Sequence, residues 1–241
     1  MSHAVASELA PTGVLRAAIN LSNFLLVTGR SPSGDPEGVA PDLARAIADR
    51  LGVPVRYVTF ERPSLLADAA GTDVWDIGLI GAEPARAEKI AFTAAYVEIE
   101  ATYLVPKGSP LTDLAQVDRI GVRIAVTAGA AYDLWLERNI QHATLVRSNS
   151  SRSAWQQFTE DKLDALAGLR PGLLSDVANL PGSRILDGQF TAVQQAVGTL
   201  RSNTAGAEFL RKFVEEAKAS GLVASLIEKH HVNGLSVAPP A

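Results

Sequence analysis

The chain has 241 residues, 47% hydrophobic and 20% charged, the balance of a globular protein with one large or two small domains. Its 22 Lys and Arg are scattered and outnumbered by 26 Asp and Glu, giving a net charge of −4, which excludes a nucleic-acid surface. The absence of cysteine excludes disulfides, thiolate metal sites and thiol nucleophiles.

No apolar run reaches the roughly 18 residues that span a membrane. The opening Met1-Ser2-His3-Ala4-Val5-Ala6-Ser7-Glu8 lacks the basic and apolar regions of a secretory signal. The expectation is therefore either a cytoplasmic protein or a periplasmic one whose signal has been removed.

In chain order, Val14–Ile19 reads as a first strand, followed by a polar Ser-, Gly- and Pro-rich stretch from Asn20 to Gly38. Pro41 and Asp42 open an amphipathic helix with Leu43, Ile47 and Leu51 at four-residue spacing, ended by Gly52. Val53–Phe60 is a second strand, Leu65–Ala70 a short helix and Trp75–Ile80 a third strand. This alternation predicts a parallel sheet covered on both faces. Asn20 and Asn23 follow the first strand, at the end where α/β sheets present ligand groups. Phe24, Trp75 and Trp155 are expected in the core.

Asp76-Ile77-Gly78-Leu79-Ile80-Gly81-Ala82-Glu83-Pro84-Ala85-Arg86 carries the clearest chemistry. A buried strand stops at Gly81, Pro84 marks the first turn of a helix, and Arg86 sits in that turn beside outward backbone N–H groups. This arrangement suits a carboxylate.

Tyr96–Pro106 reads as a connecting strand, and the pattern then restarts. Val122–Val126 is a strand, Gly129-Ala130-Ala131-Tyr132 leads into a helix over Asp133–Asn139, and Thr144–Arg147 is a strand. Ser151–Thr159 is a helix and Leu163–Gly168 a strand. Asp161-Lys162-Leu163-Asp164-Ala165 echoes Asp73-Val74-Trp75-Asp76-Ile77, each leading to an X-Pro step near an arginine, Arg86 or Arg170. Two similar α/β lobes follow from this echo. Thr191–Gly198 is a return strand, Gly206–His230 is mostly helical, and Ser236–Ala241 is expected to be disordered.

His230 and His231 are adjacent and do not share a helix face, so they suggest a helix-end charge rather than a metal site. Metal, nucleotide and serine-hydrolase motifs are absent, and no cofactor is expected.

The order of parts resembles the type II periplasmic solute-binding proteins, in the polar amino-acid branch called extracellular solute-binding family 3. The resemblance rests on Gly38-Val39-Ala40-Pro41-Asp42-Leu43-Ala44, on Trp75-Asp76-Ile77, and on Arg86 with Phe92-Thr93 and Tyr96. It continues through Val105-Pro106-Lys107-Gly108-Ser109, Arg123–Val126 before Gly129-Ala130, and Leu163-Asp164-Ala165, covering residues 12 to 232 or so.

The resemblance implies an α/β fold of two lobes joined by two hinge strands, each lobe a mainly parallel sheet flanked by helices. Lobe 1 would be residues 1–104 plus 195–241 and lobe 2 residues 105–194, with a ligand cleft between them. It also implies a carboxylate grip by Arg86, helped by backbone N–H groups of Ala130 and Ala131. Gly81, Glu83, Asn20, Asn23, Tyr132 and Arg170 complete the expected ligand-binding set, and Tyr96 is a further candidate.

Three positions depart from the family pattern. Glu83 stands where the family has threonine, Leu169 where amino-acid receptors have an ammonium-binding aspartate, and Ala130 where a threonine is usual. Arg170, next to Leu169, is either a second anion clamp or an exposed helix-start residue. These departures favour a small carboxylate lacking an ammonium group. The resulting expectation is the monomeric solute-binding component of an ABC-type uptake system, with a permease partner and an anionic ligand. The alternatives are a dehydratase of the cyclohexadienyl type on the same scaffold, with Glu83 as general acid, or a cytoplasmic ligand sensor.

Overall fold

In the computed structural model, which describes residues 3–241, the alternating elements fall into two units. Unit 1 runs to Glu98 and resumes at Gln194, and unit 2 is Ile99–Val193. In chain order unit 1 begins with α1 (His3–Leu9), β1 (Leu15–Asn20), β2 (Gly29–Arg30), β3 (Pro36–Glu37), α2 (Val39–Leu51) and β4 (Val55–Phe60). It continues with α3 (Pro63–Asp68), β5 (Ile77–Gly81), α4 (Pro84–Ala87) and the first part of β6 (Ile90–Val105). Unit 2 takes the rest of β6, then β7 (Arg123–Thr127), α5 (Ala131–Asn139), β8 (Thr144–Ser148) and α6 (Ser151–Glu160). It ends with β9 (Ala165–Leu169), α7 (Arg170–Asn179), β10 (Arg184–Ile185) and the start of β11 (Thr191–Leu200). The remainder of β11, α8 (Thr204–Ala219), α9 (Leu222–Lys229) and β12 (Ser236–Val237) return to unit 1.

In unit 1, β1 lies parallel between β4 and β5, and β5 is flanked on its other side by antiparallel β11. Strand alternation sends Ile77 and Leu79 into one core with Leu43, Ile47, Phe213 and Leu226. Ile80 goes to the opposite face, with Leu66 and Trp75. Trp75 is buried as expected, its indole N–H donating to the Leu66 carbonyl at 3.2 Å. The α2 helix starts after Gly38, whose φ of 146° and place 2.2 Å from the Leu26 carbonyl (measured from an added Cβ) exclude any side chain. It ends at Gly52, a left-handed cap whose N–H reaches the Ala48 and Asp49 carbonyls.

In unit 2, β7 lies parallel between β8 and β9, and β9 runs antiparallel to β6. The α6 helix is opened by a reciprocal cap between Ser150 and Ser153. Phe158 and Leu173 cover one face of this sheet, Tyr132 and Leu136 the other.

Two expectations need correction. Residues 99–104 belong to unit 2, because Ala101–Leu104 pair with Leu169–Leu166 of β9, so the boundary falls at Glu98 rather than 104. The C-terminal segment is ordered: Ser236 and Val237 pair with Glu98 and Val97, and the Ala238 N–H donates to Tyr96 at 3.2 Å. Backbone pairing along the edge of β6 and burial of Ala238 beside it account for this docking. Arg170–Asn179 forms a helix, which puts Arg170 at a helix start.

The echoed aspartates have a structural counterpart. Asp76 accepts from the Arg16 backbone N–H at 2.8 Å and Nε at 3.1 Å, and the Asp76 N–H donates back to the Arg16 carbonyl at 2.9 Å. In unit 2, Asp164 accepts from the Arg123 N–H at 2.8 Å and Nε at 3.4 Å, and its N–H donates to the Arg123 carbonyl at 3.0 Å.

Candidate functional site

In each unit, taken by itself, the candidate residues lie at the C-terminal ends of parallel strands, where the chain reverses. In unit 1, buried β5 ends at Gly81, and Ala82 donates to the Gln194 carbonyl at 2.7 Å. Glu83 takes extended backbone angles as the cap residue of α4, with Pro84 in the first turn. This one turn thus gathers Gly81, Glu83 and Arg86.

Arg86 is 6% exposed, and its Nη1 donates to the Gly81 carbonyl at 2.6 Å. Burial pushes its guanidinium down to about 10, outweighing the opposite pull of Glu83 and Asp68. Burial therefore works against the charged form here, and an added anion would favour it.

Asn20 ends β1, the parallel neighbour of β5, so it shares the strand-end edge with Gly81. Its Oδ1 accepts from the Ser22 N–H at 3.1 Å and Oγ at 2.8 Å. Asn23 is buried, and its Oδ1 accepts from the Leu25 N–H at 3.2 Å. Both amides shape the turn through their carbonyl oxygens. The Asn23 turn sends Leu25 and Leu26 inward and leaves Phe24 53% exposed, which corrects the core assignment of Phe24. Tyr96 lies wholly in the unit 1 core, its hydroxyl without a partner among the described residues, so it is not a lining residue. Burial alone pushes its pKa far above the phenol range.

In unit 2, β7 and β9 are parallel neighbours, so the segments after them share an edge. After β7, the Ala128 N–H donates to Ser148 at 2.8 Å, Gly129 to the Asp133 carboxylate at 2.8 Å, and Ala130 to Thr127 at 3.2 Å. The Ala130 N–H is thus engaged within the turn, contrary to its expected role as a ligand donor. Ala131, the first residue of α5, carries the first N–H of the segment with no acceptor among the described residues. Tyr132 is buried, and burial pushes its phenol above its ordinary pKa against an opposite pull from Thr127 and Ser151.

Arg170 is half-buried and already paired, with Nε on Glu100 at 2.5 Å and Nη2 on the Gly188 carbonyl. Its charge is therefore offset inside unit 2. Leu169 ends β9 and caps α7 with no side-chain hydrogen bond. The sequence reading missed Asp133 and Arg147, whose pairing at 2.9 Å frames the Gly129 turn. An acid in the first turn of a helix was the only available signal for Asp133, and nothing local marked Arg147.

Residues 23–233 match the family described as bacterial extracellular solute-binding proteins, family 3, and the chain belongs to that family. The L-cystine-binding protein TcyJ of Escherichia coli K12 is 26% identical over 202 residues, spanning 81% of this chain and 74% of TcyJ. A mutant of ArgBP from T. maritima superposes with a TM-score of 0.75 at 23% identity, covering 95% of this chain and 100% of that one. The ancestral amino acid-binding protein AncCDT-1, a precursor of cyclohexadienyl dehydratase, gives 0.74 at 21% identity over 92% and 97% of the two chains. The fold is that of the type II periplasmic binding proteins, and the protein is a solute-binding protein.

Proposed function

We propose that this protein is the solute-binding component of an ABC-type uptake system and that Arg86 receives the carboxylate of a small solute. The observation that carries the reading is the buried Arg86, held against the Gly81 carbonyl in the turn after β5. A ligand carboxylate there makes a charge-assisted, bidentate contact in a desolvated setting. Gly81 lets the chain approach closely, while Glu83, Asn20 and Asn23 set the chemistry around the carboxylate. In unit 2 the open N–H of Ala131 is a further donor for an anionic group.

The names of the relatives point to amino acids, and the group all amino acids share with other small acids is the carboxylate. Leu169 supplies no partner for an α-ammonium. The ligand class therefore extends to amino-free acids, hydroxy and keto acids among them.

A thermal-shift and calorimetric panel of L-cystine, L-arginine, L-lactate and pyruvate tests this. At least one amino-free acid is expected to bind, and Arg86→Ala to weaken capture at least about 100-fold. Unchanged affinity in that variant removes Arg86 from the site. Binding confined to α-amino acids limits the ligand to that class, and turnover of prephenate or arogenate replaces transport with catalysis.

A further inference from the structure

Unit 2 contains an ion pair that the proposed ligand contacts do not use. Asp133, the third residue of α5, has a side chain only 3% exposed. One of its oxygens accepts the Gly129 N–H at 2.8 Å. Arg147, on the neighbouring strand β8, donates through Nε to both oxygens, at 2.9 and 3.1 Å. The same guanidinium reaches Glu137 at 3.3 Å, one turn further along α5. Arg147 stands opposite Val126 in the β7–β8 register, one residue before the turn begins.

Two physical consequences follow. Gly129 has a φ of 71°, and the Asp133 carboxylate holds it there by occupying its N–H. That fixes which N–H of the segment stays open, namely that of Ala131. A carboxylate in the first turn of a helix also cancels the positive end of the helix dipole, the field an anionic ligand would use. Arg147 offsets that charge from the β8 side.

We infer that Asp133 and Arg147 are positioning residues for the ligand: a charge-neutral brace that sets the Gly129 turn and keeps the start of α5 receptive to an anion. This rests on the proposed reading that the solute carries a carboxylate. The brace predicts a charge signature that simple loss of packing does not. Arg147→Gln leaves the Asp133 charge beside the α5 start without its arginine. Adding Asp133→Asn removes that charge while the Asn carbonyl still accepts the Gly129 N–H.

The test uses the full chain, with the tightest-binding member of the four-compound panel as probe. Arg147→Gln is expected to weaken binding about 10-fold, measured well below its melting temperature, which itself should fall because the enclosed Asp133 charge loses its partner. The double variant Asp133→Asn/Arg147→Gln is expected to recover most of that loss. Unchanged affinity in Arg147→Gln, or a double variant no better than the single, overturns the electrostatic role.

A readout without ligand separates this inference from the proposed function. Gly129 amide exchange, followed by NMR, should stay slow in the double variant and become fast in Asp133→Ala. If no panel member binds the unmodified protein, the carboxylate reading and the receptive role fall together. The exchange result then decides the structural brace alone, and a Gly129 amide equally slow in Asp133→Ala overturns that too. Should Asp133→Ala not fold, exchange in Arg147→Gln against the double variant serves: fast exchange in the double shows that the Asn carbonyl does not hold the turn.

Discussion

Arg16 with Asp76 in unit 1 and Arg123 with Asp164 in unit 2 make the same contacts but differ in their access to water. In each pair the aspartate accepts the arginine's backbone N–H and Nε, and the two backbones exchange a hydrogen bond at the start of parallel strands. The unit 1 side chains are 9% and 3% exposed, those of unit 2 45% and 40%. Arg16 also donates through Nη2 to Asp76 at 2.7 Å and to Asp73 at 2.9 Å. The Arg123 guanidinium instead turns to the Lys162 carbonyl at 2.7 Å. One local device thus does two jobs. In unit 1 it neutralises a charge that the core has enclosed; in unit 2 it mainly aligns two strands at a wet edge.

Removing the acid separates these jobs most widely in unit 1. Asp76→Ala leaves Arg16 enclosed with only the exposed Asp73 as counter-ion and strips the acceptor from the Arg16 N–H. The expected loss is about 3 kcal/mol, the lower end for a broken buried pair because Asp73 remains. Urea unfolding measures it, and a loss under about 1 kcal/mol would erase the distinction between the two clasps.

A second contrast uses two carboxylates held below their ordinary range by different means. Burial works to raise Asp42, but hydrogen bonds from Lys229 and His230, both at 2.7 Å, outweigh it. Burial likewise works to raise Asp118, but the backbone N–H groups of Ala143, Gln141 and His142 outweigh it. A carboxyl depressed in the folded state adds stability above its unfolded pKa of about 3.9, and this is lost as pH falls through the lower folded value. Asp42→Asn should therefore cost about 1 kcal/mol at neutral pH. Its stability curve should converge with that of the parent protein in acid. High salt should shrink the Asp42 effect, which rests on charged side chains, more than the equivalent effect of Asp118→Asn. Parallel curves from pH 7 to pH 3 would show that the Asp42 pair contributes nothing.

The strands were legible in the sequence because burial on both faces leaves continuous apolar runs, as in Ile77–Gly81 and Ala165–Leu169. The echo of Asp76 and Asp164 was legible for the same reason, since each opens such a run. Their arginine partners were not, because the pairs span 60 and 41 positions and nothing local marks Arg16 or Arg123. The tail was misread because a two-residue strand has no period, and its docking depends on an edge that exists only after β6 forms. The place of Arg86 in the turn after β5 was visible through the strand–glycine–proline sequence before it. The engagement of Ala130 was not, because which N–H stays open depends on Gly129 adopting a positive φ. Phe24 went astray because a single aromatic in a turn carries no facing information.

The smallest expected effect gives the sharpest check on the comparison. Asp164→Ala removes the same acceptor and the same Nε contact as Asp76→Ala, at an edge where water can replace both. Exposed pairs contribute about 0–1 kcal/mol, so the loss should stay below about 1 kcal/mol by the same urea measurement. Arg123 keeps the Lys162 carbonyl, and its exposed head needs no counter-ion. A loss near 3 kcal/mol would mean that strand alignment, rather than neutralisation of a buried charge, is what the clasp contributes. The unit 1 cost would then have to be reassigned to the backbone contact that both clasps share.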